Sequence, residues 1–173
     1  KEPSLHIVFK NEERCKNFEE PIVRTSNISG FLSSKQEIRK MNSFIKGDWW
    51  VQDFSSFFPL QNLQKLNNKK LLDACAAPGG KSFQLLSRNQ NLILNDKSSE
   101  RIEILKSNLT RLGYKSKILN KDFLKFDEKV KYDLIILDAP CSAVGTIRKN
   151  PEIFFKKKSN DFKNLIKLQE KML

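Results

Sequence analysis

Eleven consecutive residues, Leu71–Lys81, limit what this chain can fold into more than any other stretch. They read LLDACAAPGGK: a short apolar run, an acid, small residues, then Pro-Gly-Gly and a lysine. A strand ending at Asp73, with a tight loop that opens a helix near Gly80, satisfies that order, because proline and glycine punctuate the chain. Small residues in the loop let its backbone approach a ligand closely. In an open α/β sheet such a turn, at the carboxyl end of a strand, is where ligands bind. The loop lacks the first glycine of GxGxxG, so a dinucleotide matches less well than another adenosine-containing ligand.

The residues that follow repeat the pattern. Leu92–Asn95 predicts a strand followed by Asp96, Ser116–Leu119 a strand followed by Asp122, and Leu134–Leu137 a strand ending at Asp138. The last is continuously apolar, as expected of a strand covered on both faces. Lys81–Arg88 reads as a helix. A longer one, capped by Ser98 or Ser99 and closed by Gly113, aligns Ile102, Leu105, Leu109 and Leu112 in one stripe. Alternation at this spacing predicts an α/β fold with a doubly wound, Rossmann-like parallel sheet. The strand ends share one edge, so Asp73, Asp96, Asp122 and Asp138 converge beside the loop. An acid about 20 residues beyond such a loop accepts hydrogen bonds from ribose hydroxyls, the position of Asp96, and Asp122 is placed to receive an adenine amino group. Any one of these aspartates reads equally well as a turn or cap residue; their common register is the signal.

Residues 1–46 read as a small α+β appendage. Leu5–Phe9 and Pro21–Thr25 suggest short strands, and Ser33–Phe44 a helix carrying Ile38, Met41 and Phe44 on one face. His6, the single histidine, reads as structural. After Gly47-Asp48, the aromatic segment Trp49–Leu66 predicts a helix capped by Asp53 and kinked or broken at Pro59, with Phe54, Phe57, Phe58 and Leu63 at its apolar positions. Packing against the sheet is the expected use of most of these rings, ahead of stacking on bases.

With 173 residues and 39% apolar content, one domain plus the appendage is expected. No apolar run is long enough for a bilayer, and Lys1–Lys10 has no signal-peptide core. The balance of 32 basic against 20 acidic residues, net +12, favours a polyanionic partner such as RNA or DNA. Lys156–Lys158 reads as a solvated patch rather than a phosphate clamp. Three widely spaced cysteines (Cys15, Cys75, Cys141) argue against a disulfide framework or zinc and for a reducing, cytoplasmic setting. Cys141 lies in Asp138-Ala139-Pro140-Cys141-Ser142, a stiff loop past a strand end. It reads either as a reactive thiol, with Lys81 and Arg148 as candidate cations, or as a buried small hydrophobe.

LLDACAAPGGKS, DKSSERIEILKSNLTRLG and LDAPCSAVGTIRKNPEI together resemble the Sun-family (RsmB-type) RNA cytosine-5 methyltransferases, and GDWWVQDFSS resembles that family's lead-in. The resemblance covers residues 47–173 and implies a class I methyltransferase sheet, here incomplete. It implies S-adenosylmethionine held by Cys75, Ala76, Ala77, Pro78, Gly79, Gly80, Lys81 and Arg101, with Asp96 on the ribose, Asp122 near the adenine and Asp138 near the methyl-donor end. In such enzymes a cysteine thiolate adds to C6 of a flipped-out cytosine, so that C5 takes the methyl group. Asp138, Lys81 and Cys141 are then the catalytic residues, Cys141 assisting breakdown of the adduct. The implied substrate is ribosomal RNA, 16S above all; the implied enzyme is a cytoplasmic monomer using no metal. The family's nucleophile sits in a later Thr-Cys motif, absent from these 173 residues, so the chain reads as a shortened form, inactive alone. Two alternatives stand beside this: a non-catalytic RNA-binding module retaining the fold, and a DNA cytosine-5 methyltransferase using Cys141 as nucleophile.

Overall fold

The computed structural model describes residues 3–34, 37–89, 91–126, 129–156 and 159–173. Two four-stranded sheets organise them. The first is antiparallel, in the order β2-β3-β1-β4, from β1 (His6–Phe9), β2 (Ile22–Ser26), β3 (Ser29–Leu32) and β4 (Trp49–Val51). The second is parallel, in the order β7-β6-β5-β8, from β5 (Leu71–Asp73), β6 (Leu92–Asn95), β7 (Lys117–Leu119) and β8 (Leu134–Ile136). Its strands and their order are those of the expected α/β class.

The first sheet buries Ile7, Phe9, Leu32 and Trp49 with Cys15 of α1 (Glu12–Lys16) in one apolar cluster. Its fourth strand comes from beyond residue 46, so Trp49 and Trp50 are strand residues and not the lead of the following helix. The helix expected over 33–44 is not continuous: residues 33–34 follow β3, a 3-10 turn covers Ile38–Lys40, Met41 is extended, and α2 spans Asn42–Ile45. Residues 35 and 36 lie outside the described residues. Ile38, Met41 and Phe44 nonetheless pack together on the cluster, so the apolar spacing identified the buried face while the extended Met41 interrupts the helix.

In α3 (Phe54–Gln61) Pro59 is accommodated near the end and the helix stops two residues later, without breaking into two. Phe57 and Leu60 are buried, whereas Phe58 is 53% exposed and Leu63 lies past the helix. α3, α4 (Gly80–Leu86) and α5 (Ser99–Leu112) contribute to one core with Leu71, Leu92 and Leu94 of the parallel sheet. Ser98 caps α5 through Arg101 N–H, Gly113 ends it, and Ile102, Leu105, Leu109 and Leu112 are its buried stripe, as the spacing predicts.

β8 departs from expectation. It is an edge strand of this sheet, Leu134 and Ile136 pack on the core, and Ile135 is 45% exposed on the other face. An apolar run of three or four residues cannot by itself distinguish burial on one face from burial on two. α6 (Ile153–Lys156) and α7 (Ser159–Met172) complete the chain. The Lys156–Lys158 patch falls outside the described side chains. Among the described residues no helix is long and apolar enough to cross a membrane.

The two sheets are clasped together. Arg111 on α5 donates to the carbonyls of Phe44 (2.8 Å) and Trp49 (3.1 Å), with its guanidinium over the Phe44 ring. Gly47, at φ 72°, passes so close that a β-carbon there would stand 1.9 Å from the Arg111 carbonyl oxygen. Only glycine permits that approach.

Candidate active site

The loop between β5 and α4 is fixed by its backbone. Ala74 N–H donates to the Ile136 carbonyl (2.9 Å), Ala76 N–H to the Asn95 carbonyl (2.8 Å) and Ala77 N–H to Asp96 Oδ2 (3.1 Å). The Ala77-Pro78 peptide bond is cis, and Gly79 enters the helix at φ 118°. A side chain at Gly79 would both strain that backbone and strike the Phe83 ring, 2.0 Å from an added β-carbon.

Of the four strand-end acids, Asp73 does not stand open at the edge. It is buried beneath the loop, where Oδ2 accepts from Ser82 Oγ (2.7 Å) and Oδ1 has no hydrogen-bond partner among the described residues. Burial pushes its carboxyl up to about 6, against the opposing pull of the Ser82 hydroxyl and the Cys75 N–H; the Asp138 charge adds to the rise. It ties the strand end to the first turn of α4.

Asp96 is also buried. Oδ2 accepts from Ala77 N–H and pairs with Arg101 Nη1 (3.3 Å), while Oδ1 accepts from Ser98 N–H (3.0 Å). Arg101 Nη2 in turn donates to the Ala77 carbonyl. A carboxylate oxygen has two lone pairs, so Oδ1 keeps acceptor capacity beyond its bond from Ser98 N–H. Asp122 begins a 3-10 turn, accepting from Leu124 N–H (3.2 Å) and Lys97 Nζ (2.8 Å). The Lys97 ammonium, with the Leu124 N–H, holds the Asp122 carboxyl below the usual carboxylate range. Asp138 is exposed and Lys81 Nζ lies 2.5 Å from its Oδ2, which brings two of the three expected catalytic residues together.

Cys141 is exposed past Asp138, which removes the reading of a buried hydrophobe. Among the described residues no hydrogen bond joins it to Lys81 or Asp138. Its loop is held from α7, where Gln169 Nε2 donates to the Pro140 carbonyl (2.8 Å). Lys149 of the following turn pairs with Asp53, and Arg148 is exposed beside it. Cys75 is half-buried; desolvation, with Asp96 and Asp73 nearby, pushes its thiol up to about 11, the direction that disfavours the thiolate. Cys15 is buried in the first sheet. His6 is buried too, its Nδ1 donating to the Gln52 carbonyl (2.7 Å) and Nε2 accepting from Thr25 Oγ1 (2.9 Å), and burial lowers its pKa: a structural histidine.

Three polar residues at the edge were not singled out by sequence. Asn95 Nδ2 reaches the carbonyls of Ala74 and Lys121 (both 3.0 Å), stitching the loops after β5 and β7 together. Asn108 reaches the Pro78 carbonyl (3.3 Å), and Gln52 packs beneath Gly80. An asparagine as the last residue of a buried strand was the available signal for Asn95; the other two had none.

Clefts of about 380 Å³ beside α1 and α2 and about 330 Å³ around Ile93, Phe126 and Tyr132 contain none of these aspartates, so chemistry and not size selects the site. Among the described residues no group of three or more His, Cys, Asp or Glu side chains is arranged to hold a metal ion.

Comparison with known proteins bears on family and fold. Ribosomal RNA small subunit methyltransferase B of Shewanella oneidensis is 36% identical over 147 residues, covering 82% of this chain and 34% of its own length. The 25S rRNA (cytosine-C(5))-methyltransferase nop2 of Schizosaccharomyces pombe is 34% identical over 161 residues, 89% of this chain and 26% of that protein. The chain thus spans about a third or less of the length of these relatives. Among solved structures, PH0851 superposes with a TM-score of 0.85 at 24% identity, over 97% of this chain and 42% of that one, a likeness of fold. NSun6 from Pyrococcus horikoshii, solved with SFG, gives 0.71 at 25% identity, over 84% of this chain and 39% of that one. The family model for 16S rRNA methyltransferase RsmB/F matches residues 60–173, which include every strand-end acid, the loop, Lys81 and Cys141. By motif, fold and family match, the chain belongs to the 16S rRNA methyltransferase RsmB/F family.

Proposed function

We propose that this chain is the S-adenosylmethionine-binding part of an RNA cytosine-5 methyltransferase acting on ribosomal RNA, most specifically 16S. The observation that carries the reading is the Lys81–Asp138 pair, standing at the edge where Asp96, Asp122 and Cys141 also stand. NSun6, solved with the S-adenosylmethionine analogue SFG, supports the choice of cofactor.

The residues fit that cofactor. The loop backbone is fixed at the strand ends by Ile136, Asn95 and Asp96, Asp96 keeps a lone pair for the ribose, and Asp122 offers a carboxylate toward an adenine amino group. When bound, S-adenosylmethionine supplies the methyl group. Asp138 faces N3 of a cytosine ring whose basicity rises as a thiolate adds at C6, and the Lys81 ammonium beside it holds the carboxyl in place and balances charge. Cys141, exposed in a loop restrained at Pro140, assists elimination of the enzyme from the methylated base. The nucleophile belongs to a Thr-Cys motif that the 173 residues do not contain. Residues 1–46, whose sheet β4 completes, act as an RNA-facing appendage to the cofactor domain of residues 47–173, and the net charge of +12 over the whole chain suits a polyanionic substrate. The enzyme works as a cytoplasmic monomer without a metal.

The test uses the protein extended through the Thr-Cys motif, with ribosomal RNA and S-adenosylmethionine, and detects 5-methylcytosine by mass spectrometry. Methylation by the parent and accumulation of a covalent RNA adduct in Cys141→Ser are expected. Loss of adduct in Cys141→Ser would make Cys141 the nucleophile and overturn its release role. A folded, cofactor-binding parent without methylation would favour the non-catalytic module.

A further inference from the structure

Beneath the cofactor loop runs a buried chain of amides that the proposed chemistry does not use. Gln52 follows β4 and precedes α3, and its side chain is buried. Oε1 accepts from Trp50 Nε1–H (3.0 Å), and Nε2 donates to Gln84 Oε1 (3.1 Å). Gln84, on α4 and fully buried, donates from Nε2 to the Phe57 carbonyl of α3 (3.0 Å). The Gln52 backbone is fixed as well: its N–H donates to the His6 carbonyl (3.2 Å) and its carbonyl accepts from His6 Nδ1 (2.7 Å). Each amide oxygen and nitrogen of the two glutamines has a partner, so the series runs in one direction, from Trp50 to the Phe57 carbonyl.

Its position makes this more than packing. Gly80, the first residue of α4, lies against Gln52: a β-carbon at Gly80 would be 3.5 Å from Gln52 Cγ and 3.7 Å from Cδ, in ordinary contact. The next residue is Lys81, which pairs with Asp138. Gln52 therefore links the first sheet to the cofactor loop, its backbone held by His6 and its side chain by Trp50 and Gln84. A buried amide bonded at both ends is stiff, because any shift leaves a donor or acceptor unpaired where water cannot reach.

We propose that Gln52 is a positioning residue of the cofactor site: its side-chain amide sets the seat of Gly80 and so the placement of the loop and Lys81. It touches no substrate; it acts through the first turn of α4. The consequence is that cofactor binding is sensed in the antiparallel sheet, at the Trp50 indole. This inference rests on the cofactor reading above.

The experiment titrates the 173-residue chain with S-adenosylmethionine by calorimetry and follows the indole N–H signals by NMR. The two tryptophans supply a probe and a reference, since Trp49 Nε1 donates to Ser43 Oγ (3.0 Å), away from the loop. In the parent, the Trp50 signal is expected to move on binding while that of Trp49 stays. Gln52→Met, which keeps the shape and removes the amide, is expected to weaken binding at least tenfold at a temperature well below its Tm. Leu32→Ala, in the other apolar cluster, is expected to lower Tm and leave affinity unchanged. Affinity in Gln52→Met within twofold of the parent, with only Tm lowered, would make Gln52 structural and overturn the proposal alone. A folded parent that takes up no cofactor would overturn the cofactor reading and this proposal with it.

Discussion

Asp96 and Asp138 both follow parallel strands and both pair with a basic side chain, yet the Asp96 side chain is 4% exposed and that of Asp138 56%. Around Asp96 the donors are backbone: Ala77 and Ser98 N–H groups supplement Arg101, and Asn95 binds the neighbouring loops. Around Asp138 the only described side-chain partner is Lys81, and the adjoining Cys141 loop is held by one bond from Gln169. The half proposed to hold a cofactor common to many reactions is thus built rigidly in advance. The half proposed to meet a base drawn from RNA keeps its groups in water. Rigid placement favours tight, repeatable binding, and exposure leaves room for a macromolecule to complete the surroundings.

The largest expected effect breaks the rigid half. Gly79→Ala forces a left-handed backbone on alanine and drives a methyl into Phe83; it should cost about 4 kcal/mol in chemical unfolding. Next comes the acid beneath the loop. Burial raises the folded-state pKa of Asp73 from 3.8 to about 6, so the folded chain keeps this proton to higher pH than the unfolded one. The contribution is fully present below pH 4 and is lost as pH climbs to 6, a fall of about 3 kcal/mol. Asp73→Asn should remove that part of the slope when unfolding is compared across pH 4–7. A smaller contrast sharpens the comparison directly: Asp96→Asn should cost about 2 kcal/mol, because a buried acceptor of several bonds is weakened. Asp138→Asn, at an exposed pair, should change stability by less than about 0.5 kcal/mol. The subtlest effect concerns thiols. With iodoacetamide at pH 8, Cys141 should be labelled well ahead of Cys75 and Cys15; equal rates would mean that the rigid half opens freely.

The same contrast explains what could be read from sequence. Strand and acid recur at Asp73, Asp96 and Asp122, the first two followed by a loop and a helix, with local patterns that survive any packing, so the parallel sheet was legible. So was the apolar stripe of α5, and with it the Ser98 cap and Gly113. Elements whose form depends on distant partners were not. Trp49–Val51 becomes a strand because β1 offers it an edge, and 33–44 loses its helix where Met41 extends between a 3-10 turn and α2. Asp73 shares the register of the other acids, and only the closure of the loop over it shows that it is sealed in. The roles of Gln52, Asn95 and Asn108 arise from which carbonyls and amides the fold brings to them, information no run of neighbouring residues carries.

The most direct test of the account is an equilibrium titration of the folded 173-residue chain with S-adenosylmethionine, alongside Asp122→Ala, a variant at a half-buried acid of the edge. The account predicts one site per chain in the parent and binding at least fivefold weaker in the variant, with Tm nearly unchanged. No heat of binding with a folded parent, or equal affinity in the variant, would contradict it.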